Sequence, residues 1–170
     1  FGGPGAGKTT SASLIFSKLK ENNFDVGLVT EFASYKILER NLSSLNKQYY
    51  ITSTQLYNQE ITEDNYKIVI TDSPIILGCI YNYSVFNSDK IYNNFIIEKF
   101  KEKDNLNFFI KRNNNIVFEE KSRVHTLEEA EFLDSQIKKF LKINKIRFTT
   151  ITYDSVVKRL ENYYPKFKEL

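Results

Sequence analysis

The sequence predicts an α/β domain of three layers, a parallel sheet with helices on both faces. Three observations carry this. Short apolar or β-branched runs (26–32, 67–71, 107–111 and 145–152) alternate with longer segments of helical periodicity, and such alternation calls for parallel strands joined by crossover helices. A glycine-rich loop opens the first helix at once. The runs close on charged residues, Glu31, Asp72 and Arg112, at the carboxyl ends of strands, where ligands of such sheets collect.

The loop is Gly2-Gly3-Pro4-Gly5-Ala6-Gly7-Lys8-Thr9-Thr10, a G-x-x-x-x-G-K-T pattern with Gly2 and Gly7 at the fixed glycine positions. This is a P-loop. Backbone N–H groups at a helix N-terminus surround a polyphosphate only where no side chains intervene, and the glycines leave that backbone bare. Lys8 carries an ammonium toward the β- and γ-phosphates, and the Thr9 hydroxyl suits the Mg²⁺ that bridges them. Residues 3 to 10 are therefore the expected nucleotide-binding set: Gly3, Pro4, Gly5, Ala6, Gly7, Lys8, Thr9 and Thr10. A P-loop leaves a buried strand, and Phe1 stands directly before this one. The expectation is a first strand reduced to its last residue, in an N-terminally truncated fragment of a longer protein.

A helix follows over 8–22, with Leu14, Ile15 and Leu19 on its apolar stripe. The run VGLVTEF (26–32) fits a buried parallel strand ending near Glu31. Residues 33–41 read as helix, 42–50 as a polar, aromatic connection, and 53–63 as helix with Gln55 and Gln59 one turn apart. KIVIT (67–71) is the strongest strand and closes on Asp72-Ser73-Pro74. An amphipathic helix over 88–101 and the strand NFFIK (107–111) come next. Thr126 with Glu129 three residues on is a capping box, and Ala130, Leu133, Ile137, Phe140 and Leu141 follow at core spacing. The last strand lies within 145–152, and a terminal helix broken near Pro165 closes the chain.

At 170 residues, with 41% hydrophobic and 15% aromatic residues, the chain suits a single domain with a full core. A net charge of +3 is mild and disfavours a long nucleic-acid footprint. The single cysteine, Cys79, excludes an internal disulfide, fits a reducing compartment and sits in an apolar run as a small buried residue. No secretory signal or membrane-length apolar run is present, so a cytoplasmic location is expected.

Asp72 stands where a carboxylate holds Mg²⁺ through water or deprotonates a bound hydroxyl; a helix N-cap is the structural alternative. Glu31 would face the acceptor side of the γ-phosphate and take a hydroxyl's proton or bind a ribose, with helix capping as its alternative. The segment of about 112–125 has the composition of a mobile lid, from which Arg112 and Arg123 would stabilise charge on the transferring phosphoryl, although a solvated charge run has the same composition. Gln59, and less so Gln55, offers a carboxamide to a base or amide edge. His125, the only histidine, lacks partners at metal-ligand spacing and reads as a lid or pre-cap residue.

Together, G-G-P-G-A-G-K-T-T, T-E-F, the helix bearing Gln59, I-V-I-T-D-S-P, F-I-K-R and an S-R ahead of T-x-E-E-A resemble the small AAA-labelled P-loop proteins common in bacteriophages. These are similar to ribosylnicotinamide kinase domains and, more remotely, to nucleoside and nucleotide kinases. The resemblance implies a P-loop NTPase fold with strand order 2-3-1-4-5, ATP and Mg²⁺ as cosubstrates, and γ-phosphoryl transfer to a nucleoside-like acceptor. It implies phosphate and metal roles for Lys8, Thr9 and Asp72, an acceptor-side role for Glu31 and lid roles for Arg112 and Arg123. Ser-Pro after Asp72 and Lys-Ser-Arg in the lid depart from the relatives' patterns.

Two other functions compete with that of a small-molecule kinase: an ATP-hydrolysing switch without an organic acceptor, and a kinase of a nucleic-acid end or modified base. A GTPase is disfavoured because no N-K-x-D motif occurs, Asn46-Lys47 being followed by Gln48-Tyr49. A full AAA+ motor is likewise not expected, since these 170 residues leave little room for its helical second domain and carry no recognisable sensor series.

Overall fold

The computed structural model describes residues 1–85, 89–113 and 126–170. In chain order the elements are α1 (Lys8–Glu21), β1 (Val26–Val29), α2 (Phe32–Leu38), α3 (Leu42–Leu45), α4 (Gln48–Glu63), β2 (Ile68–Thr71), α5 (Leu77–Val85), α6 (Lys90–Lys101), β3 (Phe108–Ile110), α7 (Leu127–Ile143), β4 (Thr149–Ile151), a 3-10 turn (Tyr153–Ser155), α8 (Val156–Glu161) and α9 (Tyr164–Phe167).

Both strand pairs are parallel. β1 runs beside β2 with Val26 opposite Ile68 and Val29 opposite Thr71, and β3 runs beside β4 with Phe108 opposite Thr149. Among the described residues these pairs, the second strand with the third and the fourth with the fifth of the expected set, form two ladders. Phe1 stands beside the second ladder: its nitrogen donates to the Phe108 carbonyl (2.6 Å) and its carbonyl accepts from the Ile110 amide (2.8 Å). Between the ladders lies a slot of about 550 Å³, lined by Phe1, β2 from Ile68 to Thr71, Phe108 and Ile110.

Strand alternation sends successive side chains to opposite faces. Val26 packs with Leu19 of α1 and Leu160 of α8. Its neighbour Gly27 turns to α4, where an added Cβ would lie 2.4 Å from the Thr62 methyl and 2.6 Å from the Tyr66 ring. The helices α1 and α4 therefore cover opposite faces of the first ladder. On the other side of the molecule Ile76, Phe109, Ile137 and Leu141 form a fully enclosed cluster with Cys79 and Ile96, each large side chain contributing about 1.5–3 kcal/mol by burial.

Local signals explain most boundaries. The capping box at the start of α7 forms as expected, the Thr126 hydroxyl accepting from the Glu129 amide and the Glu129 carboxylate from the Thr126 amide. Asp89 caps α6 through the amides of Ile91 and Tyr92. Three expectations are corrected. α2 begins at Phe32, shortening β1. α4 begins at Gln48, taking in part of the expected connection, and an additional helix, α5, follows the turn at Pro74.

Candidate functional site

The loop is shaped for main-chain recognition of an anion. Gly7, the N-cap of α1, has φ 92° and ψ 21°, a left-handed conformation that side chains resist. Gly3 is required for close approach: a Cβ there would lie 2.6 Å from the Ala130 carbonyl and 2.8 Å from an Asp134 oxygen. The Lys8 ammonium curls back over the loop to the Gly3 carbonyl at 3.2 Å, so its charge lies over the ring of amides.

Thr9 and Asp72 meet across α1 and β2. The Thr9 hydroxyl donates to one Asp72 carboxylate oxygen at 2.5 Å, and Asp72 is only 4% exposed. Its second oxygen is buried with no hydrogen-bond partner among the described residues. A hydroxyl beside an unsatisfied carboxylate oxygen is an all-oxygen donor pair of the kind Mg²⁺ takes, with phosphate and water completing the shell. Among the described residues there is no cluster of three or more His, Cys, Asp or Glu.

Gln55 sets the distance between the two acidic strand ends. Its carbonyl accepts from the Phe32 amide (2.9 Å), and its amide nitrogen donates to the Thr30 carbonyl (3.3 Å) and the Thr71 hydroxyl (3.5 Å). The carboxamide is thus committed to backbone and strand ends, and base recognition is not its use. Glu31, between those anchors, occupies the N-cap position of α2 without making a side-chain cap bond. Burial raises its pKa above the usual carboxylate range; the Lys8 charge opposes the shift and Asp72 adds to it.

Glu31, Lys8 and Thr9 open onto one cavity of about 580 Å³, closed on its other walls by Gln48, Ile51 and Tyr81. The Tyr81 phenol is pushed up in pKa by burial and, secondarily, by the Glu31 charge. Gln59 does not line this cavity: its amide donates to Glu63 at 2.7 Å, and it borders the slot between the ladders.

Arg112 behaves differently from a lid arginine. Its Nε and Nη2 donate to one Asp134 oxygen at 3.2 and 3.1 Å, and Nη2 also donates to the Pro4 carbonyl at 2.9 Å. The other Asp134 oxygen accepts the Gly3 amide at 2.5 Å. Asp134 is the residue that the sequence reading missed. Its signal was a carboxylate on the apolar stripe of α7, one turn after Ala130 and one before Ile137, where a solvated acid has no reason to stand. Arg123 and His125, with the rest of the expected lid from 114 onward, lie outside the described residues.

A bare amide loop at a helix start, a lysine over it and the Thr9 hydroxyl bonded to the buried Asp72 carboxylate beside it define a P-loop nucleotide-binding domain. The match to a family model agrees over residues 1–159: the chain belongs to the family described as an AAA domain. No curated protein and no solved structure matches it. Among the described residues no helix is long and apolar enough to cross a membrane.

Proposed function

We propose that this domain is an ATP-dependent phosphotransferase that moves the γ-phosphoryl of Mg-ATP to a hydroxyl of a nucleoside, nucleotide or NAD-precursor acceptor. The observation that supports transfer over simple hydrolysis is Glu31. A half-buried carboxylate that makes no cap bond, with its pKa raised by desolvation, opens beside Lys8 and Thr9 onto a cavity far larger than a water needs.

In this reading the loop amides and Lys8 hold the phosphates, and Thr9 and Asp72 would hold Mg²⁺, which would supply positive charge to them. Glu31 takes the proton of the acceptor hydroxyl as its oxygen forms the bond to the γ-phosphorus. The bond from that phosphorus to the β–γ bridging oxygen breaks, and ADP leaves. Arg112 acts through the loop it braces, and Arg123 is proposed to add a cation to the transferring group.

The test is a screen with γ-labelled ATP across nucleosides, nucleotides and NAD precursors. Label in an organic product supports transfer. Label recovered only as inorganic phosphate with every acceptor would assign the domain to hydrolysis alone, and label on an oligonucleotide end would assign it to nucleic-acid ends.

A further inference from the structure

A buried polar chain lies in the wall of the cavity beside the P-loop. Gln48, the first residue of α4, is 6% exposed, and its amide nitrogen donates to the Thr52 hydroxyl oxygen at 3.1 Å. Tyr92 of α6 donates its own hydroxyl to the same oxygen at 2.6 Å. Thr52 and Tyr92 are themselves buried, and the Tyr92 ring is fixed edge-on by Tyr49, with centroids 4.7 Å apart. Gly78 closes over the group so tightly that a Cβ would lie 2.3 Å from the Thr52 hydroxyl oxygen and 2.8 Å from that of Tyr92.

Burying three polar side chains is costly unless they are joined, and apolar residues of similar size would seal α4 against α5 at lower cost. What the polar version provides is a carboxamide tethered through its nitrogen to Thr52. One amide hydrogen of Gln48 is taken by Thr52; the second hydrogen and the carbonyl oxygen have no other partner among the described residues. Gln48 and Thr52 both line the cavity, together with the apolar Ile37, Leu45, Ile51 and Leu77. A donor and acceptor held side by side, in a wall shared with those apolar side chains and with Asn46 and Gln55, complement a flat ring that carries the reciprocal acceptor and donor on one edge.

We propose that Gln48, braced by Thr52 and Tyr92, is the specificity residue of this cavity, and that it pairs with the amide-like edge of a planar ring, such as a nucleobase or a ring carboxamide, on the acceptor. The inference rests on the phosphotransfer reading for its chemistry, but the ring-binding part stands separately from it.

The probes are adenosine, guanosine, cytidine, uridine, thymidine and nicotinamide riboside, each with Mg-ATP. For every probe that the native protein phosphorylates, Gln48→Leu is expected to raise the acceptor KM at least tenfold, leaving kcat and the KM for ATP within about twofold. Gln48→Glu, which at neutral pH presents only acceptors, should shift preference toward guanosine, whose ring N–H and amino group donate side by side. Tyr92→Phe, which frees the Thr52 hydroxyl, should give a smaller rise in the same direction. Retained ATP binding by each variant establishes that it is folded. An unchanged KM in Gln48→Leu, or a rise in Gln48→Glu that is equal for all probes, overturns the role of Gln48 and leaves transfer standing. If the native protein releases only inorganic phosphate, transfer fails. The same probes are then titrated for binding: weakening by Gln48→Leu sustains the ring site, and no binding by any probe overturns it as well.

Discussion

One carboxylate, that of Asp134, grips both the Arg112 guanidinium and the Gly3 amide, and Arg112 in turn reaches the Pro4 carbonyl. α7 and the segment after β3 are thereby bolted to the outer side of the nucleotide loop. With side-chain exposures of 9% and 17%, removing one partner leaves a largely buried charge poorly paired. Asp134→Ala is expected to cost about 2 kcal/mol of stability and to weaken ATP binding severalfold, measured by urea unfolding and nucleotide titration. Arg112→Ala on top of it should add less than it costs alone, as for two groups in one network.

Asp72→Asn keeps the size of the side chain and removes the charge proposed to hold Mg²⁺. Turnover should fall by about a hundredfold or more, and the Mg²⁺ concentration needed for half-maximal rate should rise. Nucleotide binding without metal should change little, since the loop amides and Lys8 are untouched. A Mg²⁺ titration that superimposes on that of the native protein would remove Asp72 from the metal site.

Burial raises the pKa of Glu31, and the sign of its effect on stability follows. The folded state holds a proton on this group over a pH range in which the unfolded chain has already lost it. The folded protein is therefore relatively most stable below the ordinary glutamate pKa of about 4.3, and that advantage is lost as pH rises through the folded-state value. Glu31→Gln should accordingly melt higher than the native protein at pH 7 to 8 while losing most of its transfer activity. In the native protein the rate should climb with pH through an apparent pKa above the glutamate reference. A thermal melt and a pH–rate profile on both proteins check the pair of effects.

Cys79 offers a chemical test of how α5 is packed. It is 1% exposed, and burial pushes its thiol up to about 12. At pH 8 only about one molecule in ten thousand would carry a thiolate. Alkylation of the folded protein should be roughly a thousandfold slower than in denaturant, followed by mass spectrometry. Fast modification under native conditions would mean that α5 opens readily.

Much of the site was written into local spacing. The P-loop needs its glycines and lysine at fixed intervals, strand ends must place Glu31 and Asp72 at the carboxyl edge, and a Thr-x-x-Glu pair starts a helix wherever it falls. The rest depended on contacts that spacing does not encode. Gln55 and Gln59 share a face of α4, yet one is spent on strand ends and the other on Glu63. Gln48 was read as part of a polar connection because tyrosines and polar residues around it mask the start of the helix. α5 follows a proline and is apolar on most sides, so no periodicity announced it. The pairing of Asp134 with Gly3 spans 131 positions, and only the misplaced charge on an apolar stripe hinted at it.

The arrangement of strands as two ladders bears on how the molecule opens. Among the described residues Phe1 pairs with the second ladder, donating one main-chain bond and accepting one. Helix α1 packs on both ladders, Leu19 against Val26 and Leu14 and Ile15 beside Ile110 and Ile151. Deuterium exchange should find the amides of β1 and β2 exchanging as one group and those of β3 and β4 as another. A bound nucleotide, whose cradle touches both halves through Lys8, Asp72 and Asp134, should draw those two rates together, making the ligand the strut that lets the protein behave as one body.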